Sequence, residues 1–284
     1  GLRHEIIVVD DKSQDDSVRI LREHHPLVHV IFNPRNSGFA FSCNRGMRWA
    51  RGNFILLLNS DAMVQPGTMR RVWEFMSAHP EVGGAGCKIV SPGSGDLQAS
   101  CREFPSPSNI VKAQALNLIA RWWPASAATW SVDHWPHDCI RTVDWIHMVF
   151  FMISRTAFKA IGGLDERFFM YGEDADYGWR LNRAGFAVTF LPEASVTHDC
   201  SYSGNKRWGV KAVVRRQLAM YLLLRKWYTP YHVLGYRVGM LILLSARVVG
   251  AIIEKAIWKR SSTDIALSTL LIRCSLGLIR DDEK

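Results

Sequence analysis

Glu5-Ile6-Ile7-Val8-Val9-Asp10-Asp11 and, further along, Phe54-Ile55-Leu56-Leu57-Leu58-Asn59-Ser60-Asp61 are the stretches on which the fold turns. Each is a short, unbroken apolar run closed by acid. A strand without polar alternation must be covered on both faces, the condition of a strand inside a parallel sheet flanked by helices. Acids at the ends of such strands stand in the crevice outside the carboxyl edge, where sheets of this kind collect their ligands.

Around these runs the remaining elements fall into place. Ser13–His24 predicts a helix with Ser13 as its N-cap and Asp15 and Asp16 in the first turn, where carboxylates complement the helix dipole. Val28–Phe32 predicts a strand, Asn36-Ser37-Gly38 a turn, and Ala40–Arg51 a helix closed by Gly52. Gly67–His79 reads as a helix, Gly83–Val90 and Val143–Ser154 as strands, Thr156–Ile161 and Glu173–Ala184 as helices, and Phe186–Leu191 as a strand. Strands alternating with helices predict a doubly wound α/β sheet with its ligand at the strands' C-terminal ends. Residues 91–142 break the pattern with Pro92, Pro105, Pro107, Pro124 and Pro136 and crowd it with Trp122, Trp123, Trp130 and Trp135, which reads as a variable insertion of loop and helix. No internal repeat or low-complexity tract is visible.

At 284 residues, 48% hydrophobic and 21% charged, the chain has the composition of a folded soluble protein, which excludes a disulfide miniprotein, a disordered chain and a polytopic membrane protein. The six cysteines (Cys43, Cys87, Cys101, Cys139, Cys200 and Cys274) are scattered without metal or disulfide spacing, and a reducing, cytoplasmic setting is expected. Charge is uneven: of the net +9, residues 201–284 contribute 15 Lys and Arg against 5 Asp and Glu, a net +10, and residues 1–200 a net −1. That asymmetry predicts a near-neutral globular unit followed by a segment with an acidic partner. In residues 218–258 the basic residues alternate with long aliphatic runs, which favours an anionic lipid surface over nucleic acid. Arg237 and Arg247 interrupt the longest run, so a pair of interfacial amphipathic helices is the leading reading, with a membrane span or a core or dimer helix as alternatives. Lys206, Arg207, Lys211, Arg215, Arg216, Arg225 and Lys226 before the run, and Lys255, Lys259 and Arg260 after it, would meet lipid headgroups.

Three acidic clusters at element ends, Asp10-Asp11, Asp61 and Glu173-Asp174-Ala175-Asp176, each read alone as caps or solvated residues, yet together they could converge on a metal and phosphates. The blocks IIVVDDKSQDDSV, NPRNSGFAFSCNRGMRWARGNFILLLNSD and GGLDERFFMYGEDADYGWRL resemble, in this order, the family 2 glycosyltransferases of the GT-A fold, most closely the bacterial surface-polysaccharide branch that includes rhamnosyltransferase-like enzymes. The resemblance runs from about residue 5 to about residue 203. It implies a GT-A, mostly parallel α/β sheet over residues 1–204, with residues 205–284 as a basic helical membrane-associating segment.

The resemblance also implies roles. Asp10 matches the acid that accepts a hydrogen bond from a pyrimidine base, with Asp11 and Ser13 lining the same pocket, and Asn36, Gly38, Asn44 and Asn59 lie on the donor side. Asp61 closes the metal motif, in which Asn59 stands in place of the first acid, and His198 occupies the position of a later ligand. Together they would hold Mg²⁺ or Mn²⁺, the imidazole favouring Mn²⁺. Asp174 is the implied general base, with Glu173, Asp176 and Trp145 on the acceptor side or in support; Trp179 and Arg180 read as packing residues. Gly38 is expected to let backbone approach the ligand, and Arg45 reads equally as a phosphate partner or a solvated residue.

Two departures stand out. Relatives begin with one more strand and helix, so the chain is expected to be a fragment or to carry a misassigned start. Trp145-Ile146-His147-Met148-Val149-Phe150 stands where relatives place a small Gly-Ala pair beside the sugar, which would reshape the pocket. The expected activity is an inverting, metal-dependent transfer from a UDP- or dTDP-sugar to a glycan or lipid-linked glycan, peripheral at the cytoplasmic membrane face, without nucleic acid. A non-catalytic remnant that binds a glycan or partner is the alternative. Nucleotidyl transfer would want a glycine-rich basic loop near the start, which is absent from the sequence.

Overall fold

The computed structural model describes residues 2–122, 135–199, 209–258 and 263–279. The readings made of Trp123, Pro124, Trp130, Cys200, Lys206, Arg207, Lys259 and Arg260 lie outside the described residues, as do the side chains of Trp122 and Lys255.

In chain order the elements are β1 (Ile7–Asp10), α1 (Ser17–His24), β2 (His29–Phe32), α2 (Phe39–Trp49), β3 (Phe54–Leu58), β4 (Ala62–Val64), α3 (Thr68–Ala78) and β5 (Val82–Val90). Then come β6 (Leu97–Gln98), β7 (Cys101–Arg102), α4 (Pro107–Trp122), β8 (Arg141–Val143), β9 (Trp145–Ile146) and β10 (Phe150–Ser154). The remainder are α5 (Arg155–Ile161), α6 (Glu173–Arg183), β11 (Ala187–His198), α7 (Val210–Trp227), α8 (Pro230–Trp258) and α9 (Thr263–Ser275).

Two compact units result, the first holding the residues up to Phe104 and again from Trp135, the second holding α4 and α7 to α9. In the first unit β1 and β2 pair in parallel, while the main sheet runs β3-β10-β5-β11-β4, with β6 on β5 and β8 on β11. β10 lies antiparallel between β3 and β5, and β5 pairs with β11 in parallel. The sheet is therefore mixed, although β3, β5 and β11 point the same way. Because β10 is reversed, its first residue, Phe150, sits opposite Leu58, the last of β3. The residues that lead into β10 thus share an edge with those that leave β3.

Period-two alternation along β10 divides the core. Phe151 and Ile153 face a cluster with Ala40 and Met47 of α2 and Tyr177 and Leu181 of α6, whereas Phe150 and Met152 face Val72 and Met76 of α3. Full burial of each Phe or Ile contributes about 1.5–3 kcal/mol. The glycines of β5 make room on the first face: a Cβ on Gly86 would meet Ile146 Cγ2 at 2.7 Å, and one on Gly84 would strike the Phe151 ring.

Several expected boundaries move for local reasons. α1 begins at Ser17, not Ser13, because Asp10 Oδ1 accepts from Ser13 N at 3.1 Å and Asp15 Oδ1 from Ser17 N at 3.1 Å, which shapes residues 13–16 into a turn; Ser13 is not its N-cap. α2 stops at Ala50, whose backbone is extended, before Gly52; the Glu5 carboxylate accepts from Arg51 N at 2.6 Å and catches the departing chain. The strand expected over 143–154 is broken into β8, β9 and β10, since Asp144 Oδ2 accepts from Phe104 N at 2.7 Å and β9 turns aside to pair with β7. β11 continues to His198, passing Pro192, which lacks a donor, through a register shift between Leu191 and Ser195.

In the second unit Tyr221, Leu224, Val233, Tyr236, Met240, Leu244 and Leu271 form a core against which Ile110 and Val111 of α4 pack. Val111 comes so close that a Cβ on Gly239 would lie 3.0 Å from it. α4 therefore groups with the C-terminal helices, and not with the first 204 residues as the sequence-based division has it.

Candidate active site

The parallel register of β1 and β2 sets Asp10 opposite Phe32, so the next residues, Asp11 and Asn33, are neighbours. Asp11 Oδ1 accepts from Asn33 Nδ2 and Ser37 N, both at 2.8 Å, and Oδ2 accepts from Gly38 N at 2.9 Å. Asp11 thus holds the loop 33–38, on which Asn36 is exposed, while half-buried Asp10 keeps its contact to Ser13. Lys12 between the two acids has φ 63°, a left-handed backbone unusual for a non-glycine residue and characteristic of functional turns.

Two expected roles change here. Gly38 (φ 88°) is buried, and a Cβ there would run into the Phe169 carbonyl, to which Phe39 N–H donates at 2.8 Å. Its missing side chain admits Phe169, not a ligand. Asn44 is 5% exposed and committed to the chain leading into α6, donating from Nδ2 to Leu164 O and Glu166 Oε1 at 2.8 Å and accepting from Leu164 N at 2.7 Å. It is a brace for that segment. Arg45 donates to Phe32 O at 2.7 Å and Asn33 Oδ1 at 2.5 Å, so it closes the end of β2.

At the other end of the edge, β4 and β11 pair with Ala62 opposite His198, which brings Asp61 to the imidazole. Asp61 Oδ1 lies 3.2 Å from His198 Nε2, and the side chains are 14% and 9% exposed. Gln98 Nε2 donates to Ser91 Oγ at 3.0 Å and His198 O at 2.8 Å, so its Oε1 faces His198 Nδ1 at 3.2 Å. Nδ1 therefore donates to Gln98, and in the neutral imidazole Nε2 turns its lone pair toward the Asp61 carboxylate. That is the tautomer and the second-layer acceptor that metal-ligating histidines use, and two lone pairs converging on one point fit a divalent cation. Among the described residues no group of three or more His, Cys, Asp or Glu gathers around a metal position, so the protein's share would be this pair. Asn59 fixes the turn, donating its N–H to Val149 O at 2.9 Å.

The acidic block opens α6 after two left-handed residues, Tyr171 (φ 73°) and Gly172 (φ 90°). Its acids diverge, as neighbours ~100° apart on a helix must. Asp176 is fully buried and takes Arg180 Nε at 2.8 Å, while Arg180 donates to Ile161 O and Gly163 O. Glu173 is 6% exposed, with Oε2 buried and unpartnered; burial, and then the Asp174 charge, hold its carboxyl well above the usual carboxylate range. Both are buried. Asp174 is the acid with access: its side chain is 13% exposed, Oδ1 accepts from Ala175 N at 2.9 Å, and Oδ2 lies 3.1 Å from His147 Nδ1. Trp145 packs edge-on to the His147 ring at 5.0 Å, its Nε1 donating to Glu103 O at 3.0 Å.

Sequence reasoning missed Asn33, Gln98 and the pairing of His147. Asn33 had a signal, since it follows β2 as Asp11 follows β1. Gln98 and His147 had none, because their partners lie far along the chain.

An α/β sheet that gathers a carboxylate–imidazole pair and a helix-borne carboxylate at one edge has the GT-A form. A crystal structure of GalNAc-T7 with UDP, GalNAc and Mn²⁺ superposes with a TM-score of 0.57 at 13% identity, covering 97% of this chain and 50% of that one. The chain therefore spans half the length of that enzyme. Residues 1–123 match the model of Glycosyl transferase family 2, and the chain is a glycosyltransferase of that family. An N-acetylglucosaminyl-diphospho-decaprenol L-rhamnosyltransferase of Mycobacterium tuberculosis is 26% identical over 211 residues, 70% of this chain and 67% of the relative. The rhamnosyltransferase WbbL of Escherichia coli is 21% identical over 224 residues, 75% of this chain and 81% of the relative.

Proposed function

We propose that this glycosyltransferase moves a hexose or deoxyhexose, with inversion, from a UDP- or dTDP-linked donor to a glycan or lipid-linked glycan in surface-polysaccharide synthesis. The observation that carries the reading is the placement of the Asp61–His198 pair and of Asp174 on one sheet edge, tied through the Asn59–Val149 bond to the segment that bears His147. Relatives named as rhamnosyltransferases, one of them for a diphospho-decaprenol acceptor, support the sugar and acceptor classes.

Asp61 and His198 would hold Mg²⁺ or Mn²⁺, and the mixed oxygen and nitrogen set suits Mn²⁺ better. A cation bound there supplies neutralisation of the charge on the departing diphosphate. Asp10 offers its carboxylate to the nucleoside base, with Ser13 and Asn36 beside it, while Asp11 holds that loop. Asp174 supplies the basicity that takes up the acceptor hydroxyl's proton, and Trp145 walls the acceptor side.

The acceptor class agrees with the second unit. Leu234, Val238, Ile242, Val249 and Ile252 are each about half exposed or more and recur along one side of α8, while Val233, Tyr236, Met240 and Leu244 fill the core. Arg237 is drawn over the Tyr221 ring at 5.2 Å, leaving the exposed stripe apolar. Pro230–Ile252 is long and apolar enough to cross a membrane, but only 22% of its apolar window is buried within the protein. With Lys211, Arg216, Arg225 and Lys226 on α7, the stripe supports a helix lying in the headgroup region of an anionic, cytoplasmic-face membrane.

The test is incubation of the purified chain with UDP- and dTDP-sugars, a lipid-diphosphate-linked acceptor and Mn²⁺, following nucleoside diphosphate release and the anomeric configuration of the product by NMR. Release that needs donor, acceptor and cation, with an inverted product, is the expected result. No release with any donor would leave the fold as a binding remnant.

A further inference from the structure

We infer that the atom which receives the acceptor hydroxyl's proton is Nε2 of His147, and that Asp174 acts through it by fixing the imidazole tautomer. The inference rests on the reading of this crevice as the sugar-transfer site and deepens it. Asp174 Oδ2 lies 3.1 Å from His147 Nδ1, and a carboxylate offers only lone pairs. Nδ1 therefore carries a proton, and in the neutral imidazole Nε2 presents the lone pair. The carboxylate is held on its other oxygen by Ala175 N–H at 2.9 Å, so it is oriented from both sides.

Exposure then decides which group the acceptor meets. The His147 side chain is 39% exposed against 13% for Asp174, so a hydroxyl arriving from solvent encounters the ring first. The ring itself is fixed. Its backbone N–H donates to Ser100 O at 2.9 Å, and the Trp145 ring packs against it at 82° and 5.0 Å. Gly178 of α6 allows this arrangement, since a Cβ there would lie 2.5 Å from Trp145 Cβ. A carboxylate orienting an imidazole whose second nitrogen faces the reacting hydroxyl is the geometry by which other folds activate an alcohol.

The step balances. The acceptor O–H gives its proton to Nε2, and the oxygen's electron pair forms the bond to the anomeric carbon. The bond from that carbon to the diphosphate breaks, its electrons leaving with the nucleoside diphosphate, and the imidazolium returns its proton to water.

Chemical rescue separates the two nitrogen and oxygen bases. His147→Ala should lower kcat by ~10²- to 10⁴-fold while the donor KM moves little. Imidazole added to the assay should restore turnover in proportion to its concentration, a response that a merely structural histidine would not give. Asp174→Ala should respond to neither imidazole nor formate. Failure of imidazole to restore His147→Ala overturns the inference, as does formate rescue of Asp174→Ala, which would make the carboxylate the direct base. His147→Gln, close in size and checked for an unchanged unfolding temperature, guards against a folding defect; near wild-type turnover in it would also overturn the inference. Absence of turnover in the wild-type chain would instead count against the proposed function itself.

Discussion

Replacing Arg180 by alanine removes three bonds at once: to Asp176 Oδ2 at 2.8 Å, to Ile161 O at 2.9 Å and to Gly163 O at 2.8 Å. Asp176 is 0% exposed, so its carboxylate loses the guanidinium at 2.8 Å where water cannot replace it. Breaking one partner of a buried pair costs about 3–5 kcal/mol. The two carbonyls belong to half-buried residues that water can reach, so they add little. For a unit of this size 1 kcal/mol corresponds to about 2–4 °C, which places the fall in Tm at about 6–20 °C. The damage should reach the site, because residues 161–163 lead into the segment braced by Asn44 and then to Phe169 against Gly38. Thermal unfolding of the full chain, followed by circular dichroism, measures the loss. Arg180→Met combined with Asp176→Leu should recover most of it, since the buried charge is gone. A shift below about 2 °C for Arg180→Ala, or a double variant as unstable as the single one, would refute the reasoning.

Glu173 provides a pH test: its carboxyl is raised by burial first and by Asp174 second, so the folded state keeps a proton that the unfolded chain releases above the ordinary glutamate range. Its contribution is therefore present at acidic pH and declines as pH rises toward the raised value. Glu173→Gln, permanently neutral, should gain in Tm over wild type as the pH rises above the ordinary glutamate range, and a pH-independent difference would count against a raised carboxyl. Asp61→Ala should abolish Mn²⁺-dependent donor binding by calorimetry; an unchanged titration would reject the pair as the cation site. Val238→Asp with Ile242→Asp should release the chain from anionic vesicles in flotation at physiological salt, whereas binding that persists would place the membrane contact elsewhere.

What could be read from the residues follows from how local the governing interaction is. β3 matches its expected bounds, Phe54–Leu58, because an unbroken apolar run between Gly52-Asn53 and Asn59-Ser60-Asp61 leaves no other choice. The acids at the ends of β1, β3 and α6 were visible for the same reason. Ser13 misled because its amide meets Asp10, a competition between turn and cap that composition does not decide. Gly38 and Asn44 looked like donor-loop residues and are braces, since their partners, Phe169 and Leu164, come from a segment more than a hundred residues later. His147 was weighed for its bulk alone; its meaning depends on β10 running against β3 and β5, which carries residues 147–149 to the edge where β3 ends.

The most direct measurement is the turnover of Asp174→Asn, which preserves size and removes the carboxylate's charge. Donor affinity should stay close to wild type and the fold intact, with nucleoside diphosphate release in the presence of acceptor lowered by ~10²- to 10⁴-fold. Release at the wild-type rate would contradict this, because the proton of the acceptor hydroxyl would then be leaving by a route that uses neither Asp174 nor the imidazole it orients.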